Sequence, residues 1–245
     1  MTDYAQTALV SGLRFLSESQ AAIANNLANA ESSSFKRRDA IATEGSAFAQ
    51  QLNEKLPTVG VREGIDWRPG STRETGNQLD VSLDEGAFMR VQDGNGGIYY
   101  TRSGKLQLDR EGNVVTLSGM RYLDSAGNPM KIDQSELTLT SLAISPSGEM
   151  SNQTTGRNFG QLGVFKLADT TGLRAVGAGI YLDSKKQPPT QSQAGVRQGY
   201  EENSNVDSLQ EMVQMIVVQR SFAATQRALG SVDRMHDRLI SNLNR

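Results

Sequence analysis

The sequence contains no cysteine, which excludes disulfide frameworks, thiolate zinc sites and cysteine nucleophiles together. Histidine occurs once, as His236. A histidine metal cluster is therefore excluded, and any imidazole proton relay must run through one residue near the C-terminus. Long apolar runs are missing too. The densest, Met215-Ile216-Val217-Val218, is flanked by Gln214 and Gln219, far short of the ~20 residues that span a bilayer. Neither sign of charge is in surplus: 25 basic and 27 acidic side chains leave a net charge of −2. That lacks the basic footprint that binds nucleic acid or an anionic membrane. The N-terminus carries Asp3 and no basic residue before Arg14, which is not the pattern of a cleaved secretory signal. Any export is expected by a route that reads no such signal.

Enzyme motifs are also lacking. Gly104-Lys105 is followed by Leu106 and has no glycine at the spacing a phosphate loop requires. Asp93-Gly94-Asn95-Gly96-Gly97 begins like a calcium loop, but Ile98 holds the sixth position and Gly104 the twelfth. A hairpin turn is expected there. Asp84-Glu85 and Glu201-Glu202 are adjacent pairs, expected as solvated surface. His236 lies among Arg234, Asp237 and Arg238, the setting of a surface histidine. No catalytic residue, metal site or cofactor is expected, and the chain is read as a protein without enzymatic activity.

What is present is periodicity at both ends. From Asp3 to Asn29 there is no proline, and Leu9, Leu13, Leu16, Ile23 and Leu27 fall on one helical stripe. A helix over residues 1–30 of about 40 Å is predicted. Asn203-Ser204-Asn205-Val206-Asp207 supplies capping residues for a second proline-free run. It carries Leu209, Met212, Val213, Ile216, Ala223, Val232 and Leu239, and a helix over 206–245 of about 55 Å is predicted. Between them, turn signals at Asp93–Gly97, Asp109–Asn113, Ser125–Asn128 and Pro146–Gly148 separate short apolar segments. They predict an antiparallel β-domain over 80–190. Residues 31–79 and 191–205 are polar and read as an extended connector and a return arm. The expected fold class is α+β: long terminal helices forming a coiled-coil-like pair, with a central antiparallel β-domain joined by extended arms.

A β-domain of this size cannot cover two such stripes, so the economical solution is a bundle shared among copies of the chain. Three features carry two readings each. Asn25, Asn26 and Asn29 either end the first helix or hydrogen-bond across identical subunits through their amides. Lys36-Arg37-Arg38 is either a solvated patch or a contact to an acidic neighbour. Trp67, the sole tryptophan, is expected to anchor the arm onto the domain.

Ala24-Asn25-Asn26-Leu27-Ala28-Asn29 followed by Ser33-Ser34-Phe35-Lys36 resembles the N-terminal signature of the bacterial flagellar rod and hook proteins. Ser33 and Ser34 stand where that signature has Thr and Gly, and Gly is the residue for unusual backbone. The far end matches as well, in Gly199-Tyr200-Glu201-Glu202-Asn203-Ser204-Asn205-Val206-Asp207, Glu211-Met212-Val213 and Gln219-Arg220-Ser221-Phe222. In the middle, Glu85-Gly86-Ala87-Phe88, Tyr100-Thr101-Arg102-Ser103-Gly104 and Asp109-Arg110-Glu111-Gly112-Asn113 are similar to the family's β-domain pattern.

The resemblance implies a structural subunit of the flagellar basal-body rod, the drive shaft between motor and hook. It implies export through the flagellar type III apparatus, and as partners copies of itself, other rod subunits and the hook protein, without nucleic acid or membrane insertion. The implied location is the basal body, where the rod crosses the periplasm or cell wall. Chain length fits a proximal or distal rod subunit with one β-domain; Gln219-Arg220 and Glu211-Met212-Val213 lean toward the distal type and the modest length toward the proximal, with distal slightly favoured. The expected assembly interface is Leu9, Leu13, Leu16, Ile23, Asn25, Asn26, Leu27 and Asn29 with Leu209, Met212, Val213, Ile216, Ala223, Val232 and Leu239. The competing readings are a secreted adhesive module working through the β-domain, and an enzyme with a carboxylate pair.

Overall fold

The computed structural model describes residues 2–44, 59–133, 142–177, 179–192 and 195–243. Among them are two α-helices and eighteen strands, grouped in two compact units.

The first unit holds both helices and a two-stranded ribbon. Helix α1 (Thr2–Ala28) is the N-terminal periodic run. Strands β1 (Arg38–Glu44) and β2 (Val59–Ile65) pair antiparallel, in register from Arg38 opposite Ile65 to Glu44 opposite Val59, and the ribbon packs against α1. Helix α2 (Ser208–Leu243) starts at Asp207. Its Oδ1 accepts the backbone N–H groups of Leu209 and Gln210 at 2.9 and 3.1 Å, two of the donors a helix start leaves unpaired. The helices run antiparallel: Gln6 Nε2 donates to Asp233 Oδ1 at 2.7 Å near one end, and Asn26 Nδ2 to Glu211 Oε2 at 3.1 Å near the other.

Among its described residues, the second unit is all β apart from one short 3-10 turn. Its strands are β3 (Thr72–Glu74), β4 (Val81–Leu83), β5 (Ala87–Gln92), β6 (Ile98–Thr101), β7 (Gln107–Leu108), β8 (Val114–Val115) and β9 (Arg121–Tyr122). They continue with β10 (Leu142–Ile144), β11 (Glu149–Asn152), β12 (Asn158–Gln161), β13 (Val164–Lys166), β14 (Leu173–Gly177) and β15 (Ile180–Asp183). The last are β16 (Thr190–Gln191), β17 (Val196–Gln198) and β18 (Tyr200–Glu202). The main sheet follows the order β14-β15-β6-β5-β9-β8-β7, with β13 joining β5 to β16. Smaller sheets are β10-β11-β12, β17-β4 and β18-β3. The core is built by Met89, Val91, Tyr122, Ile132, Met150, Leu162 and Val164, all buried.

Three hairpin turns share one construction. Asp93 Oδ1 accepts the N–H groups of Asn95 and Gly97, Asp109 Oδ1 those of Glu111 and Asn113, and Asp124 Oδ1 that of Asn128. The glycine in each turn, Gly96, Gly112 and Gly127, has φ between +82° and +94°, the left-handed backbone glycine adopts without strain. The carboxylate of Asp93 is thus occupied by the turn's own backbone.

The expected fold class does not hold. Among the described residues the chain is β-rich with two α-helices, not a coiled-coil-like helix pair joined to a β-domain by extended arms. Leu209, Met212, Val213 and Ile216, which an interhelical seam would bury, are 72%, 53%, 53% and 50% exposed. The ribbon shares α1 with α2, so α1 does not offer α2 an unbroken apolar groove. The connector carries paired strands. It contains β1, β2 and β3, and β3 pairs with β18 from Thr72 opposite Glu202 to Glu74 opposite Tyr200.

Candidate assembly interface

The sequence blocks at the two ends and in the middle are joined by polar nodes, one in each unit. In the helical unit the node is Asn26, fully buried on the last turn of α1. Its Oδ1 accepts the Arg38 N–H at 2.9 Å, and its Nδ2 donates to the Arg38 carbonyl at 2.9 Å and to Glu211 Oε2 at 3.1 Å. Arg37 Nε donates to Glu211 Oε1 at 2.5 Å, and Arg37 Nη1 to Asp39 Oδ2 at 2.6 Å. One amide therefore caps the start of β1 and fixes the first turns of α2. The Arg37 guanidinium is partly desolvated, yet its hydrogen bonds to Glu211 and Asp39 and their charges hold it above its ordinary value.

The β-unit carries a second node, around Glu202. Lys36 Nζ reaches Glu202 Oε1 at 2.6 Å, while Arg102 Nε and Nη2 reach Oε2 at 3.0 and 2.8 Å. All three side chains are almost fully buried. The remaining donors are satisfied by carbonyls: Lys36 by Arg68, and Arg102 by Leu83, Asp84 and Ala87. The Gly70 N–H adds a bond to Glu202 Oε1 at 3.1 Å. Burial alone would raise the Glu202 carboxyl, but Arg102 and Lys36 outweigh it and hold it below its ordinary value.

These nodes correct two expectations. Glu201 and Glu202 are buried rather than solvated; Glu201 pairs with Arg73 at 3.0 Å and Lys105 at 2.9 Å. Lys36-Arg37-Arg38 is neither a free patch nor in need of an outside acid, since its members pair with Glu202, Glu211 and Asp39, and Glu63 respectively. Both features look like surface charge because their partners lie up to 174 residues away in sequence. The only available signal was that each belongs to one of the sequence blocks.

Trp67 packs edge-on against Phe88 and Tyr181, with ring centroids 5.2 and 4.8 Å apart, and so pins the segment that precedes β3. Ser34, at the position where glycine is usual, has φ +55°: the turn keeps glycine's backbone with serine in place.

The predicted interface residues fall into three groups. Leu9, Leu13, Leu16 and Leu27 of α1, and Ala223 and Val232 of α2, are half-buried, and Ile23 is buried. Asn26 is committed to its node, Asn29 accepts a bond from Ser32 Oγ at 3.1 Å, and Asn25 lines a cavity of about 340 Å³ between α1 and the ribbon. Leu209, Met212, Val213 and Ile216 face solvent on α2, joined by Val217 and Met235, which lie outside the predicted interface set. Leu239 belongs to α2, but its side chain lies outside the described residues. Among the described residues, no group of three metal-ligating side chains converges, and no helix is long and apolar enough to cross a membrane.

Comparison with known proteins gives two family matches in the expected order. Residues 84–152 match the flagellar hook protein FlgE/F/G D1 domain, and residues 197–243 the flagellar basal body rod FlgEFG protein C-terminal family. The chain is 29% identical to the flagellar basal-body rod protein FlgG of Bacillus subtilis, over 96% of this chain and 97% of that protein. It is 29% identical to FlgG of Buchnera aphidicola subsp. Acyrthosiphon pisum, covering 89% and 91%. It is 27% identical to the flagellar basal-body rod protein FlgF of Caulobacter vibrioides, covering 91% of each chain.

Proposed function

We propose that this chain, which matches the flagellar basal-body rod proteins of the bacterial flagellum in its middle and C-terminal segments, is a structural subunit polymerising through its helical unit into the torque-transmitting shaft. The observation that carries this reading is the solvent-facing row Leu209, Met212, Val213 and Ile216 on α2. In a lone molecule it wets apolar surface. Covering a large aliphatic side chain stabilises by about 1.5–3 kcal/mol when it goes from fully exposed to fully buried. Four half-exposed residues therefore contribute several kcal/mol (order of magnitude) to each contact between copies. Shearing a packed bundle of such helices disrupts many contacts together, which suits a shaft under torque. The neighbours are copies of itself, other rod subunits and the hook protein, and delivery is by the flagellar type III export apparatus.

The test is complementation of a strain lacking this subunit with the double variant Val213→Asp, Ile216→Asp. Swimming and assembled basal bodies are expected to be lost while the purified variant keeps its circular dichroism. Full motility would overturn the reading. Deleting residues 1–29 is likewise expected to abolish motility, whereas an adhesive module working through the β-domain would keep its binding.

Within the rod we assign the chain to the distal segment, on the strength of Glu211-Met212-Val213 and Gln219-Arg220. Glu211 of that block is the residue that ties α2 to Asn26 and Arg37. Electron microscopy of isolated basal bodies carrying a labelled subunit is expected to find the label on the hook side of the shaft; label on the motor side would overturn the assignment.

A further inference from the structure

The Glu202 node joins parts of the β-unit that nothing local brings together. Its partners lie 166, 132 and 100 residues away, at Lys36, Gly70 and Arg102. The main sheet, by contrast, contains four pairings between neighbouring strands, β5 with β6, β7 with β8, β8 with β9 and β14 with β15, which the longer-range pairings of β6 with β15 and β5 with β13 join. Arg102 is held by that sheet without Glu202, because its guanidinium also donates to the carbonyls of Leu83, Asp84 and Ala87 around β4 and β5. Lys36 and Gly70 belong to the outer segments, 29–36 and 67–70, and are joined to Arg102 through the Glu202 carboxylate.

We propose that Glu202 is a latch: its carboxylate closes the outer segments 29–36 and 67–70 onto a β-sheet that is already formed, and opening it loosens those segments while the sheet persists.

Two physical arguments support that order. Closing loops of 100 or more residues carries an entropic penalty that short hairpins avoid, so the distant contacts are rewarded only once the sheet fixes Arg102. Burying the carboxylate before its cations are in place would also leave a desolvated charge without a partner. The neighbouring carboxylate cannot substitute for the latch. Glu201 pairs with Arg73 and Lys105, which are 63% and 36% exposed, and ion pairs in contact with water contribute little.

The molecule carries its own reporter. Trp67 is the sole tryptophan, and it lies in the outer segment against Phe88 and Tyr181 of the sheet. The experiment compares the full chain with its Glu202→Gln variant in native buffer. Trp67 emission is expected to move to longer wavelength, and amide exchange in 29–36 and 67–70 to rise on the order of tenfold. Exchange in β5 and β8 and the far-ultraviolet sheet signal are expected to stay unchanged. Unchanged emission and exchange throughout would overturn the latch, and so would a joint loss of sheet signal and Trp67 docking. A second measurement needs no variant: in stopped-flow refolding of the unaltered chain, the sheet signal is expected to recover before Trp67 fluorescence. Recovery of both with one rate constant would overturn the proposed order.

Discussion

Ser34 shows how one side chain can be held against its own preference. It sits at φ +55°, a region that disfavours a Cβ by about 1–2 kcal/mol. It is also buried, and its hydroxyl has no hydrogen-bond partner. The backbone explains why the position is kept, since the Ser34 N–H donates to the Glu202 carbonyl at 2.7 Å. Ser34→Gly removes both the strained Cβ and the unpaired hydroxyl, and is expected to stabilise the β-unit by about 1 kcal/mol after allowing for glycine's greater freedom when unfolded. A rise in the guanidinium midpoint with unchanged slope is the check. Glu202 makes a second residue-scale prediction. A carboxyl held below its ordinary value on folding adds stability that is complete above its unfolded value, about 4.3, and is lost as the pH falls through the folded value. Glu201 is held down in the same direction: burial opposes it, but hydrogen bonds from Lys105 and Arg73 prevail. The guanidinium midpoint is therefore expected to be flat near neutrality and to fall below about pH 4, with a shallower fall in Glu202→Gln.

At the scale of elements, the same periodicity argument works in one place and misleads in another. The two proline-free runs are the helices Thr2–Ala28 and Ser208–Leu243, because capping and 3.6-residue spacing are local properties. What covers a stripe is not local. The sequence pairs the helices along a seam, whereas the ribbon β1–β2 takes part of α1 and leaves the start of α2 in water. The ribbon itself is hard to foresee, since its strands mix apolar and charged residues and pair from Arg38–Glu44 to Val59–Ile65 with no turn signal to mark them. Strand β3 finds its partner only at β18, with Thr72 opposite Glu202. The candidate site is legible to the same extent. The blocks containing Lys36, Arg102, Glu202 and Glu211 stand out as motifs, but residue type alone presents them as surface charge until the fold brings them together. Asn26→Ala tests the helical node. It strips the Arg38 N–H and carbonyl and Glu211 of one partner each. A loss of about 2–3 kcal/mol is expected for the helical unit, read as faster amide exchange in β1 and the first turns of α2, with β5 unaffected.

Considered whole, the molecule has firm β-structure and helices whose apolar surface is incompletely covered. Sulfate strengthens apolar burial by being excluded from protein surface. Ammonium sulfate is therefore expected to drive concentration-dependent association of the purified chain, measured by sedimentation, and Val213→Asp with Ile216→Asp is expected to suppress it. In dilute monomer, α1 and α2 are expected to exchange amide hydrogens faster than β5, β8 and β9. Strong protection of both helices in dilute monomer would count against assembly through them.

The hairpin turns closed by Asp93 and Asp109 have a practical consequence. Each is held by a carboxylate no more than four residues from the N–H groups it receives, and Gly94, Asn95, Arg110 and Glu111 at their tips are exposed. The hydrogen bonds that close those turns are local, so a grafted epitope or dye-labelling peptide can be seated there, giving a visible handle on the subunit that leaves its buried charges and its bare helix face intact.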